Sequence, residues 1–356
     1  MPLCQTCMIL PPAHPRETRA LLAVPTAAAE EGLYAWAQTE HVRAESLGSG
    51  VISLELVGDA LDSLGSHLVA TLSGPELAEA RILLQAGSGE FRPLDLLRTD
   101  SAETFVEKLR AEWLGELLRD DGLDTAFQPI FDMATGAPVA HECLMRGQHA
   151  GRAVFPGEMI AAARASNLLF HLDRAARIKA IENAAARGVA TDVWVNFNPT
   201  SIYNPSACLQ TTVRAAERAG ISRDRIVFEV VESDDVADRD HLLNILRFYR
   251  KEGFRVALDD LGSGYSSLGL LTEILPDVAK LDMGLIRGID ADPVRQRVVE
   301  HLLSLARSLG VTTVVEGIET EAEADFCRSA GADLAQGYLY AKPAAYPVQS
   351  RPAMAA

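Results

Sequence analysis

Positive charge is in short supply in this chain of 356 residues: 33 lysines and arginines stand against 49 aspartates and glutamates, a formal net charge of -16. So acidic a chain disfavours the phosphate backbone of DNA or RNA and anionic membrane surfaces, which are bound by basic faces. No DNA or RNA polymer is therefore expected as a partner. A small anionic ligand stays open, because a bound divalent cation can reverse the local field. Also missing is any run of 18 or more apolar residues, so no membrane insertion is expected. The opening MPLCQTCMILPPAHP has no basic segment ahead of its apolar patch and is broken by prolines, which argues against a secretory signal. Cysteine is sparse. Cys4, Cys7, Cys143, Cys208 and Cys327 form an odd set in a long chain, which reads as reduced thiols in a cytoplasmic protein and not as a disulfide scaffold. Cys4 and Cys7 have CxxC spacing, but no second pair completes a metal site, so two ordinary thiols are expected there.

What the chain does have is an alternation of apolar strands and helix-length segments from about residue 124 onward. VWVNF (193–197), RIVFEVV (225–231), FRVAL (254–258), VAKL (278–281) and TTVVE (312–316) are β-branched or aromatic runs without polar alternation, as in strands buried on both faces of a parallel sheet. The segments between them close on glycine, the usual C-terminal helix stop. At least five such units over about 220 residues fit a barrel better than an open doubly wound sheet. The expected fold is α/β: a TIM-like (β/α)8 barrel over 124–345, its first strand allowed to be irregular, behind a small N-terminal α/β domain over 1–115. In that domain VISLELVG predicts a strand and SGPELAEARILLQAG a helix. Asp100, with Glu103 three residues on, predicts the N-cap of a helix whose stripe is Phe105, Val106, Leu109, Trp113, Leu114 and Leu117.

The C-terminal strand ends are where barrel chemistry collects, and here they are polar. Asn196 follows VWV, Glu229 sits in IVFEVV, Asp259 and Asp260 follow FRVAL, Lys280 lies in VAKL and Glu316 closes TTVVE; VAHECLMRG, expected as the first barrel strand, carries Glu142 and Arg146. Each alone has an ordinary explanation as a helix cap, a turn residue, a solvated acid or a snorkelling lysine. Jointly, at one end of successive strands, they predict a site, because buried carboxylates in such number must raise their pKa values, recruit cations from side chains, or bind metal. Oxygen donors with one asparagine suit Mg²⁺ or Mn²⁺ better than zinc. Two adjacent aspartates could serve two ions about 3.5–4 Å apart, the clamp used in phosphodiester hydrolysis.

The stretches FQPIFD (127–132), ECLMR (142–146), VNFNP (195–199), FEVVES (228–233), LDDLGSGYSSL (258–268), VAKLD (278–282), VVEGIET (314–320) and AQGYLYAKP (335–343), in this order, resemble the EAL domain family of cyclic di-GMP phosphodiesterases. The resemblance implies hydrolysis of cyclic di-GMP to linear pGpG with two Mg²⁺ or Mn²⁺ ions. It implies Glu142, Asn196, Glu229 and Asp259 as ligands of one ion, with Asp259 shared and Asp260 and Glu316 holding the second. Lys280 would stand beside the attacking water, with Glu142 and Glu316 also catalytic, and Gln128, Arg146 and Gln336 would contact the dinucleotide. Glu232 would tether the loop containing Gly262, Ser263 and Gly264, which in the family influences metal binding and homodimer formation. The alternative function is a catalytically silent cyclic di-GMP sensor. Departures from the family pattern are Cys143 for alanine, Leu261 for phenylalanine, Ser263 for threonine and Gly147 for an aromatic residue. None removes a ligand, and Cys143 is expected to point away from Glu142 and pack.

Overall fold

The computed structural model describes residues 10, 17–86, 93–231, 239–262 and 267–349. They fall into two compact units, 10–120 with 157–169, and 121–156 with 170–349. Among the described residues no helix is long and apolar enough to cross a membrane.

The smaller unit is built on a five-stranded sheet of order β2-β3-β1-β4-β5. Its strands are β1 (Glu17–Ala23), β2 (Arg43–Gly48), β3 (Val51–Val57), β4 (Arg81–Ala86) and β5 (Asp100–Ser101). β1 runs antiparallel to both β3 and β4. Helices Ala27–Thr39 and Ala60–Thr71 bury Leu33, Trp36, Leu64 and Leu68 with Leu22, Ile52 and Leu54 of the sheet. This is the expected α/β domain, with three corrections. SGPELAEARILLQAG is not one helix: Gly74–Glu79 is helical, and Arg81–Ala86 is β4. Leu and Ala favour helices locally, but pairing beside β1 outweighs a preference of a few tenths of a kcal/mol per residue. The N-cap after β5 is Ser101, whose hydroxyl accepts from the Thr104 N–H. Asp100 pairs with Ile82 in the sheet and binds Lys108 at 2.7 Å instead. The anticipated single helix is two, Ala102–Arg110 and Glu112–Arg119, hinged at Ala111.

The larger unit contains β6 (Leu123–Asp132), β7 (Pro138–His149), β8 (Arg152–Val154), β9 (Asp192–Phe197), β10 (Ile226–Val231), β11 (Arg255–Leu261), β12 (Val278–Leu281), β13 (Thr312–Val315) and β14 (Leu334–Ala335). Their order is β6-β14-β13-β12-β11-β10-β9-β7-β8, and a further β6–β7 pairing closes the sheet into an eight-stranded barrel with β8 appended to β7. From β7 through β9 to β14 the neighbours are parallel. β6 is the exception, antiparallel to both β7 and β14. The barrel is therefore TIM-like with an irregular first strand, and that strand is Leu123–Asp132, one element ahead of VAHECLMRG.

The barrel interior holds one apolar floor: Ile130, Ala140, Trp194, Val227, Ala257, Val278 and Val314, with Leu334 packed against them. Each barrel strand supplies one member. The larger cluster, including Phe228, Val256, Leu258 and Ala279, lies between the sheet and the surrounding helices. Trp194 is the largest side chain of the interior floor and 2% exposed. Trp194→Ala should lower stability by about 3–5 kcal/mol, the usual cost of emptying such a volume. Trp194→Phe should cost far less, because it also removes an indole N–H that is buried without a hydrogen-bond partner. Denaturant titration of the two variants checks this; equal losses would contradict the packing described.

Candidate active site

Side chains two residues apart on a strand share a face. Moving two residues on from each member of the apolar floor toward the C-terminal strand ends gives Glu142, Asn196, Glu229, Asp259, Lys280, Glu316 and Gln336. On β6, which runs the other way, the equivalent step goes back from Ile130 to Gln128. Gln128 and Glu142 are direct partners across the β6–β7 ladder, as Ile130 and Ala140 are one step below. The barrel thus carries a polar floor directly above an apolar one. Gln128, Glu142, Asp259, Lys280, Glu316 and Gln336 also line one pocket of about 270 Å³.

Asp259 and Asp260 are the exception that makes the site. Adjacent strand residues should face opposite sides, yet one oxygen from each, together with one from Glu316, lies within 4.8 Å of the others. The cause is local. Asp260 adopts φ +57°, in the left-handed region, and the β11–β12 register shifts between Leu258 and Leu261. Aspartate tolerates this conformation better than most residues, and such positions cluster at functional sites. Gly262 follows at φ +102°, where a Cβ would sit 2.3 Å from Leu285 Cδ1. Glu232, Ser263 and Gly264 lie outside the described residues.

Lys280 stands at the centre, 1% exposed. Its Nζ is 2.6 Å from Glu316, 3.3 Å from Asp259, 3.4 Å from Glu229 and 3.6 Å from Glu142. Glu142 is the best supported acid: Asn196 Nδ2 donates to Oε1 and Gln336 Nε2 to Oε2, both at 2.9 Å. Burial pushes its pKa up, but Lys280 and these two amides outweigh burial and leave it below the usual carboxylate range. Glu229 has the opposite balance. Burial first, then repulsion from Glu142, Asp259 and Glu316, holds it well above that range despite Lys280. Burial and the neighbouring acids raise Glu316 to about 8. Lys280 loses solvation, yet the four carboxylates keep it firmly protonated.

One ammonium cannot neutralise Glu142, Glu229, Asp259 and Glu316. Both oxygens of Glu229 are buried without a hydrogen-bond partner, an arrangement that is costly unless a cation completes it. An oxygen-rich donor set of this kind fits hard divalent ions. The Asp259–Asp260–Glu316 group is the candidate seat for such an ion. Arg146 lies four residues along β7 from Glu142, on the same strand face and half-buried, with Nη1 donating to the Met145 carbonyl at 2.8 Å. Gln128 Nε2 reaches the Ala341 carbonyl at 3.5 Å. Cys143 is buried in the outer cluster, away from the pocket, as expected.

Sequence reading missed the rim: Met283, Arg287, Gly317, Glu319, Gly337 and Tyr338 also line the pocket. Arg287 and Glu319 are paired at 2.6 Å. Gly337 is required by close approach, since a Cβ there would lie 2.1 Å from the Ile318 carbonyl oxygen. The glycine after Gln336 was the available signal.

Residues 111–343 match the EAL domain model. The chain belongs to the EAL domain family. A solved standalone EAL protein from Vibrio cholerae O395, in a c-di-GMP-bound form, is 36% identical over 65% of this chain and 94% of that one, with a TM-score of 0.57. Cyclic di-GMP phosphodiesterase NbdA of Pseudomonas aeruginosa is 30% identical over 236 residues, 65% of this chain and 30% of that protein. BlrP1 of Klebsiella pneumoniae covers 92% of this chain and 96% of its own at 23% identity and a TM-score of 0.58, a likeness of fold alone. The chain spans 27% to 50% of the length of the curated relatives it matches.

In the metal-free EAL barrel, Glu316 binds a proton that it would not hold when unfolded, from the ordinary carboxylate range up to about 8. Its contribution to stability therefore falls as pH rises through that window. A cation seated on Glu316 must displace this proton, so metal stabilises more at higher pH. The rise in melting temperature caused by Mg²⁺ or Mn²⁺ is expected to grow from about pH 6 to about pH 8.5. Thermal unfolding with and without metal measures the increment, in which metal-independent titrations cancel. An increment that shrinks as pH rises would contradict the electrostatics.

Proposed function

We propose that the barrel hydrolyses one phosphodiester bond of cyclic di-GMP, releasing linear pGpG, with two Mg²⁺ or Mn²⁺ ions held by its polar floor. The observation that carries this reading is the single buried lysine ringed by four carboxylates, beside the Asp259–Asp260–Glu316 group. The relatives described above as phosphodiesterase or c-di-GMP-bound lend the substrate. Glu142, Asn196, Glu229 and Asp259 would hold one ion, and Asp259, Asp260 and Glu316 the other. When bound, such a pair supplies Lewis-acid stabilisation to in-line displacement at phosphorus.

The chain's own groups have separable tasks. Asn196 and Gln336 hold both oxygens of Glu142, so that carboxylate stays ionised and oriented. Lys280 orients the attacking water and offsets negative charge gathering on the phosphoryl oxygens as the new P–O bond forms and the ester P–O bond breaks. Gln128, Gln336 and Arg146 are proposed to engage the dinucleotide from the first two strands and the last. The acidic surface is no obstacle to an anionic substrate, since the cations invert the field where it binds.

Incubating the purified chain with cyclic di-GMP and either cation, then separating the nucleotides, should yield pGpG. Tight nucleotide binding in Mg²⁺ without turnover would instead favour the sensor reading. Lys280→Ala should keep the metal-loaded barrel folded and lower turnover by about 30- to 1,000-fold, corresponding to about 2–4 kcal/mol of transition-state stabilisation. Near-normal turnover at saturating substrate would show that Lys280 has another role.

A homodimer pairing near the loop after Asp260 is proposed, and residues 1–115 are proposed to regulate the barrel, because every proposed ligand and nucleotide contact lies between Gln128 and Gln336. A chain shortened to begin near Leu123 should still bind metal and nucleotide but differ in rate or oligomeric state. Identical kinetics and assembly would remove the case for regulation.

A further inference from the structure

On the outer side of β9 the fold buries a full ion pair that the chemistry above does not use. Arg177, on helix Leu169–Ala186, is 0% exposed. Its Nη2 lies 2.8 Å from Asp173 Oδ2, one turn earlier, and Nε donates to the same oxygen at 3.0 Å. Nη1 donates to the hydroxyl of Thr212 at 2.6 Å, itself fully buried on helix Gln210–Ala219. Desolvating such a pair costs several kcal/mol, and apolar residues of similar volume often stabilise a core as well or better. Net stability is therefore a poor explanation for it.

Asp173 has a second set of contacts. The backbone N–H of Asn198 donates to Oδ1 at 2.8 Å, and the Ser201 hydroxyl donates to Oδ2 at 2.7 Å. The segment so held begins immediately after β9, two residues past Asn196. On its β10 side Asn196 is secured by the ladder, where it partners Glu229. On its β7 side the ladder ends at Val195, one residue short. Toward β7 Asn196 is held by its own amide donating to Glu142, and the chain beyond it is held by β10 as far as Phe197 and then by Asp173.

We propose that Asp173, clamped by Arg177, is a positioning residue for the metal site: it sets the exit path of β9 and thereby the Asn196 carboxamide against Glu142. The inference rests on Asn196 and Glu142 belonging to a metal site. Replacing a group hydrogen-bonded directly to a metal ligand typically costs about 10- to 100-fold in metal affinity; Asp173 acts one step further out, through the Asn198 backbone, so the low end of that range is expected, whereas a purely structural pair would change the melting temperature and leave the affinity of the folded protein alone.

The test is Mn²⁺ titration by calorimetry on the full chain without nucleotide, alongside thermal unfolding. Asp173→Leu combined with Arg177→Met removes both charges, so neither is left buried alone. It should melt within a few degrees of the wild type yet bind Mn²⁺ about tenfold or more weakly. Ser201→Ala leaves the ion pair intact, deletes the hydroxyl's contacts to Asp173 and to the Asn198 carbonyl, and should weaken Mn²⁺ binding about two- to threefold; it decides the matter if the double variant does not fold. Wild-type Mn²⁺ affinity retained by the folded variants overturns the positioning role. A wild-type chain that takes up no Mn²⁺ overturns the metal reading itself, and the inference falls with it.

Discussion

The charge imbalance around Lys280 is the constraint on which the rest of the barrel depends. A buried ammonium is unfavourable alone, and buried carboxylates crowded into one site are unfavourable together. The fold accepts both because each relieves the other: Lys280 lies within 3.6 Å of Glu142, Glu229, Asp259 and Glu316. The relief is incomplete. Glu316 is driven to about 8 and Glu229 is held well above its ordinary range, so the site is left short of positive charge. That deficit, more than any single residue, is the physical argument for divalent cations.

The barrel makes this arrangement by a simple rule and one departure from it. Strand alternation stacks a polar floor on an apolar one, so Trp194 and Val227 below position Asn196 and Glu229 above. Strict alternation would have turned Asp260 away from Asp259. The left-handed backbone at Asp260 and the register shift beside it bring the second carboxylate back to the same side. Conformational strain of about 1–2 kcal/mol at such a residue is small against the coordination it makes available.

Much of this was legible in the sequence because buried parallel strands have a plain signature. VAKL (278–281) is β12 to the residue, and the polar residue at each strand end needed only the barrel hypothesis to become a neighbour of the others. Legibility failed where the local and tertiary preferences disagree. Arg81–Ala86 is helix-like in composition but is held as a strand by β1, and Asp100 lost its capping role to Ser101 because β5 keeps its backbone extended. The pocket rim was also hidden: Glu319 lies on the segment that Gly337 passes closely at Ile318, and Gly317 on that segment packs against Met283, four residues before Arg287, which no periodicity encodes. The Asp173–Arg177 pair has ordinary helical i,i+4 spacing, and only its burial sets it apart.

The most direct test of the central claim is anomalous scattering from crystals of the chain grown with Mn²⁺ and a non-hydrolysable cyclic di-GMP analogue. Two manganese peaks about 3.5–4 Å apart are expected, one against Glu142, Asn196 and Glu229, the other against Asp260 and Glu316, with Asp259 between them. A pocket without metal, or one holding a lone ion clear of Asp259, would contradict it.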